Sequence, residues 1–194
     1  MRVKICGITS LEDAMVAIDS GSDALGFVFY KKSPRYITPK KASSIISKLP
    51  PFVEKVALFV NENANTINDI CKISGATLAQ LHFDVDNDLC KNLNVPYIRV
   101  IRAKDANDIT KHADEYRLVD AYCEAYGGAG KRINIEWFND VDCSKIILAG
   151  GLNPENVNSL TKYNFFGVDV SSGVELEHGI KDPKKVKDFI KNAK

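Results

Sequence analysis

The chain predicts an α/β fold in which eight parallel strands close into a (β/α)8 (TIM) barrel. Apolar runs recur at regular intervals, eight in all. Most are near-continuous rather than alternating, as in strands covered on both faces. Segments of helical periodicity stand between them, which implies parallel strands joined by right-handed crossovers. Eight repeats favour closure over the alternative, an open doubly wound sheet, although 194 residues is the short end for a barrel. No linker, low-complexity tract or composition break divides the chain, so residues 1–194 read as one domain.

The strands are expected at 3–8, 24–30, 55–60, 78–83, 97–103, 117–122, 145–151 and 165–172. Thr9 or Ser10 caps the first helix; Glu12 and Asp13 suit its dipole, Leu11, Ala14, Met15 and Ile18 share one stripe, and Gly21 stops it. Thr38 caps the second, with Pro39 just inside and Ala42, Ile45, Ile46 and Leu49 on one face before Pro50-Pro51. A third holds Ile67, Ile70, Cys71 and Ser74 and stops at Gly75, and Cys90 falls on another. Asn153-Pro154-Glu155 starts one through Val157 and Leu160; Asp182-Pro183 starts the last, with Val186, Phe189 and Ile190 inward. A helical connection is thus expected between nearly all consecutive strands.

With 26 basic and 25 acidic residues, net charge +1, nothing in the bulk electrostatics calls for nucleic acid or an anionic membrane. The five cysteines (6, 71, 90, 123, 143) show no CxxC spacing and the three histidines are scattered, which argues against zinc and against a disulfide scaffold and fits a reducing cytoplasm. The N-terminus lacks the apolar stretch of a signal peptide, and no run approaches the ~20 apolar residues of a membrane span. No motif sets the oligomeric state; a monomer is the expectation.

In such a barrel, chemistry sits where strands end. Cys6, His82 and Asp120 close strands one, four and six; Arg35 follows strand two; Gly150-Gly151 close strand seven; Asp169, Ser171, Ser172 and Gly173 close strand eight. LAGGLNPENV and DVSSGVE each run from a strand through glycine or hydroxyls toward a helix start, a pattern suited to holding phosphate on main-chain amides. Their plainer reading is tight turns. A thiol at Cys6 suits general-base work, and a buried Asp120 carboxyl suits proton donation. Core packing and loop capping are the competing roles. Arg35 suits a carboxylate partner or a solvated surface, and His82 a pocket or a satisfied core position. YGGAGKR (126–132) is no P-loop, because Arg132 stands at the Ser/Thr position; it reads as a mobile cover or a plain connector.

KICGIT, GFVFYKKSPRYI, LFVNE, AQLH, LVDA, YGGAGK, LAGGLNPENV and DVSSGVE occur here in the order seen in phosphoribosylanthranilate isomerases, and the chain resembles that family from about residue 3 to its last helix. The resemblance implies a (β/α)8 barrel of tryptophan biosynthesis. It implies the Amadori rearrangement of N-(5-phosphoribosyl)anthranilate to 1-(2-carboxyphenylamino)-1-deoxyribulose 5-phosphate, with no metal or organic cofactor. Cys6 then matches the general base and Asp120 the general acid. Arg35 matches the anthranilate carboxylate contact, Asp169 the sugar contact, His82 a substrate contact, and the two glycine/serine loops the phosphate site. Two positions depart from the family's pattern: Phe83 stands where glycine usually follows QLH, and Ala121 where threonine or serine is common. The competing readings are a related phosphosugar isomerase or epimerase, and a non-catalytic phosphosugar-binding barrel.

Overall fold

Side chains alternate along each strand, and that alternation decides what faces the barrel axis. The computed structural model describes residues 1–122 and 132–194. Its eight parallel strands pair in sequence order, and the last returns to the first. They are β1 (Arg2–Cys6), β2 (Ala24–Val28), β3 (Glu54–Phe59), β4 (Leu78–Leu81), β5 (Tyr97–Ala103), β6 (Arg117–Ala121), β7 (Ile146–Leu148) and β8 (Gly167–Val170). The closed barrel expected from the sequence is the one observed. In β1, Val3 and Ile5 join the large apolar cluster between sheet and helices, whereas Lys4 and Cys6 take the opposite face. A smaller cluster of Ile98, Val100, Leu118 and Ala149 fills the barrel itself.

The sequence-predicted strands overrun the observed ends. Apolar and glycine runs continue into the loops, so His82, Gly150, Gly151 and Ser171 lie just past strand termini while Cys6, Asp120 and Asp169 lie within strands. At the amino-terminal mouth, Ala24, Leu78, Gly167 and their neighbours Val56, Ile98 and Ile147 line a cavity of about 330 Å³. Cys6, His82, Asp120 and Asp169 lie at the other end, where strands β1, β4, β6 and β8 finish.

The helices are α1 (Leu11–Asp19), α2 (Pro39–Ile46), α3 (Ala64–Ser74), α4 (Asn87–Lys91) and α5 (Pro183–Ala193). Ser10, not Thr9, caps α1 by accepting from Asp13 N at 3.1 Å. Thr38 caps α2 and Asp182 caps α5. Gly75, at φ +79°, ends α3 in the left-handed conformation that glycine adopts freely.

The near-regular series of helical connections is corrected on the far side of the barrel. After β5, β6 and β7 the described connections hold only 3₁₀ turns, at Asp108–Thr110, Ile135–Phe138 and Val157–Tyr163. In the last, Ser159 Oγ and Thr161 Oγ1 donate to the carbonyls of Asn156 and Asn158, local bonds that compete with an α-helical ladder. Between β5 and β6 the fully buried Arg117 substitutes for a helix: its Nη2 donates to Ile109 O at 2.9 Å, tying the turn to the barrel. An antiparallel hairpin, β9 (Glu175–Glu177) and β10 (Ile180–Lys181), follows β8 and had no counterpart in the sequence expectation. The expected cover at 126–132 lies outside the described residues save Arg132, as does Cys123. Among the described residues no helix is long and apolar enough to cross a membrane.

Candidate active site

Cys6 ends β1 and is buried. Gly7 follows at φ +80°, a left-handed turn that suits glycine; a Cβ there would stand 2.6 Å from Arg35 Cδ and 3.0 Å from Ser171 Oγ. The bare glycine therefore lets the β2 and β8 loops close over the end of β1. Lys4, one inward position earlier on the strand, is 5% exposed and donates from Nζ to Asp169 Oδ1 at 2.7 Å. Burial pushes the Cys6 thiol up, Lys4 pulls it back, and the Asp169 charge adds to the rise.

Asp120, on β6, carries a carboxyl pushed up to about 7, first by burial and then by the negative Asp169. Lys4 acts on both Cys6 and Asp120, and so does Asp169. Thiol and carboxyl groups thus share one electrostatic neighbourhood at the strand ends. His82 Nε2 lies 3.7 Å from Asp120 Oδ2. Burial, with Arg102 and Lys4 nearby, drops its pKa to about 4, so the ring is neutral at pH 7 and the contact is no ion pair. Arg102 stands in register beside Asp120 on β5 and opposes the rise of its carboxyl.

Arg35 is buried at 6% exposure, not solvated. Its Nε and Nη2 grip Glu175 Oε1 and Oε2 at 2.7 and 2.6 Å, a bidentate pair. Lys181, also buried, donates to Glu175 Oε1 at 2.9 Å and to Ser171 O at 3.3 Å. Burial opposes ionisation of Glu175, but its bonds to Arg35 and Lys181 outweigh that and hold the carboxyl below its ordinary value.

The two glycine/serine loops meet. Gly150 and Gly151 both take positive φ, 91° and 63°, and Asn156 Nδ2 donates to Gly151 O at 2.9 Å, fixing that turn. Gly173 packs so closely on the Leu152 carbonyl that no side chain fits there. Among the described residues, nothing accepts from the amides of Gly150, Gly151, Ser172 or Gly173, and the buried Ser171 Oγ has no hydrogen-bond partner. Gly173→Ala is expected to wedge the loops apart, costing about 1–3 kcal/mol of stability and raising KM for a phosphate ester; denaturant melts and steady-state kinetics measure both.

Among the described residues, the structure places Cys6, Arg35, His82, Asp120, Gly150, Gly151, Asp169, Ser171, Ser172 and Gly173 at or just past the carboxyl ends of the strands. The sequence reading missed Lys4, Glu175 and Lys181. A lysine inside an apolar strand two places before Cys6 was the available signal for the first. The other two gain meaning only through the fold.

A closed parallel barrel with its ionisable side chains at the carboxyl ends of the strands is the architecture of the (β/α)8 enzymes. Residues 3–192 match the family described as N-(5'phosphoribosyl)anthranilate (PRA) isomerase, and the chain belongs to that family. It is 61% identical to the N-(5'-phosphoribosyl)anthranilate isomerase of Sulfurovum sp. (strain NBC37-1), over all of this chain and 99% of the relative. The crystal structure of phosphoribosyl anthranilate isomerase from Thermotoga maritima superposes with a TM-score of 0.92 at 41% identity, covering 100% and 98% of the two chains. A further solved isomerase, in complex with reduced 1-(o-carboxyphenylamino)-1-deoxyribulose 5-phosphate, matches with a TM-score of 0.84 at 38% identity over 100% and 98%.

Proposed function

We propose that residues 1–194 form one catalytic barrel domain that converts N-(5'-phosphoribosyl)anthranilate to 1-(2-carboxyphenylamino)-1-deoxyribulose 5-phosphate, an isomerisation of tryptophan biosynthesis in the cytoplasm. The observation that carries the reading is the pairing of a buried thiol with a carboxyl group whose pKa lies at about 7, beside two loops with open amides. The compound bound in the solved relative is the reduced form of that product.

Asp120, protonated, gives its proton to the ribose ring oxygen as the C1–O bond breaks. The aminal becomes an iminium and the former ring oxygen a hydroxyl. The cationic nitrogen acidifies C2–H, and the Cys6 thiolate removes that proton. The resulting enolamine takes a proton at C1 and loses one from the C2 hydroxyl, leaving the aminoketone. The iminium is itself the electron sink. Each acid or base step is worth about 10²–10⁴-fold.

The open amides of the β7 and β8 loops hold the phosphate by main-chain donors and need no lysine patch. Arg35, with two nitrogens already taken by Glu175, is a fixed plane whose Nη1 remains for the anthranilate carboxylate. Asp169 meets the sugar, and His82, neutral, is a polar contact beside Asp120. Glu175→Gln weakens the grip on Arg35: the expected loss is about 2 kcal/mol of stability and a rise in KM larger than the fall in kcat, read by denaturant unfolding and steady-state kinetics. The function is tested by mixing the protein with freshly generated phosphoribosylanthranilate and following the loss of its fluorescence. No acceleration over the spontaneous background overturns it in favour of a binding barrel without turnover.

A further inference from the structure

We infer that Lys4 is the positioning residue of the base: its ammonium, clamped by Asp169, shares the space beside Gly26 with the Cys6 sulfur and offsets part of the burial cost of the thiolate that takes the proton. The inference rests on reading Cys6 as that base. Lys4 and Cys6 stand two apart on β1, so both face the barrel interior. A lysine is hardly ever fully buried unless paired, and here the partner is the Asp169 carboxylate at 2.7 Å.

Gly26, in register with Cys6 on β2, is what makes room. A Cβ at that position would stand 2.7 Å from Cys6 Sγ and 3.0 Å from Lys4 Nζ, so sulfur and ammonium converge on the space that a side chain would fill. The missing side chain at Gly26 thus serves close approach of the two heads rather than an unusual backbone torsion.

Charged and titratable groups come to this pair from several elements: Asp169 on β8, Lys181 on β10, Asp120 on β6, Arg102 on β5 and His82 after β4. On the thiol, burial acts first and upward; Lys4 is the largest opposing influence, Asp169 adds to the rise, and Lys181 contributes a smaller pull downward. On Lys4, burial acts downward, but Asp169 and Cys6 outweigh it and the ammonium stays charged. The cation is therefore constant near neutrality, and its field opposes the rise that burial imposes on the thiol. A purely structural Lys–Asp pair would leave the titration of the thiol unchanged on replacement by a neutral pair.

The test compares wild type with Lys4→Met and with Lys4→Met/Asp169→Asn; the double variant leaves neither member of the pair as a buried, unmatched charge and so covers the case in which the single variant does not fold. Two profiles are read against pH: the rate of Cys6 alkylation by iodoacetamide, followed by mass spectrometry of the Cys6 peptide, and kcat/KM. The alkylation midpoint is expected to rise by about one pH unit or more in Lys4→Met, and by less in the double variant. The rising limb of kcat/KM should move with it, giving ~10-fold or more loss at pH 7 that is partly recovered at higher pH. An unmoved alkylation midpoint in the variants overturns the role of Lys4. A moved midpoint with an unmoved rate profile overturns instead the assignment of Cys6 as base.

Discussion

Asp120→Asn is expected to lower kcat by ~100-fold or more while raising the melting temperature at pH 7. An amide cannot release the proton that opens the ribose ring, so activity falls. The stability gain follows from the same burial that equips the residue for catalysis. The folded protein holds the Asp120 proton up to about pH 7, whereas the ordinary value of the group is 3.8. Burial in the protonated form is therefore matched fully only below about pH 4, and stability is lost as the pH rises through about 7. Asparagine is neutral throughout and removes that loss, a gain of about 1–3 kcal/mol at neutral pH that vanishes in acid. Thermal melts at pH 4 and pH 8, beside steady-state kinetics, measure both halves. Wild-type turnover would remove the acid assignment, and a melting shift equal at the two pH values would remove the account of the carboxyl group.

Cys6→Ser is expected to be as damaging to turnover, again by ~100-fold or more in kcat, with little change in product affinity. Serine nearly preserves the shape of the side chain but is far less acidic than a thiol. Lys4 offsets part of the burial penalty on a thiolate and cannot lift an alcohol to the same state. Arg35, Asp169 and the amides of the two loops are untouched by the change, so the ligand remains held. Rapid single-turnover measurements locate the loss in the chemical step, and undiminished turnover would end the base assignment.

The strands were legible because each is an apolar run long enough to register, and the barrel followed from their number and rhythm. Cys6, Asp120 and Asp169 were legible as polar residues placed where such runs end. The lack of α-helices on the far side was not: the segment 104–116 carries only Ile109 as a buried apolar anchor, and its tie to the barrel is Arg117, a residue read as part of a strand. Arg35 was read as a side chain for a ligand, and its partner Glu175 lies 140 residues away in sequence, so the buried ion pair that fixes its orientation is a property of the fold alone. Lys4 was passed over within VKICGI, where strand periodicity already placed it on the face shared with Cys6.

The pairing of β8 with β1 also bears on how the chain reaches its native state. Lys4 and Asp169, opposite each other in that last seam, are 165 positions apart, so closure demands the longest-range encounter in the barrel. Contacts of that separation form slowly, since the entropy of bringing distant segments together is lost before any pairing is gained. Until the seam zips, both outer strands expose unsatisfied backbone edges, and that interval is when nascent copies are most prone to aggregate with one another.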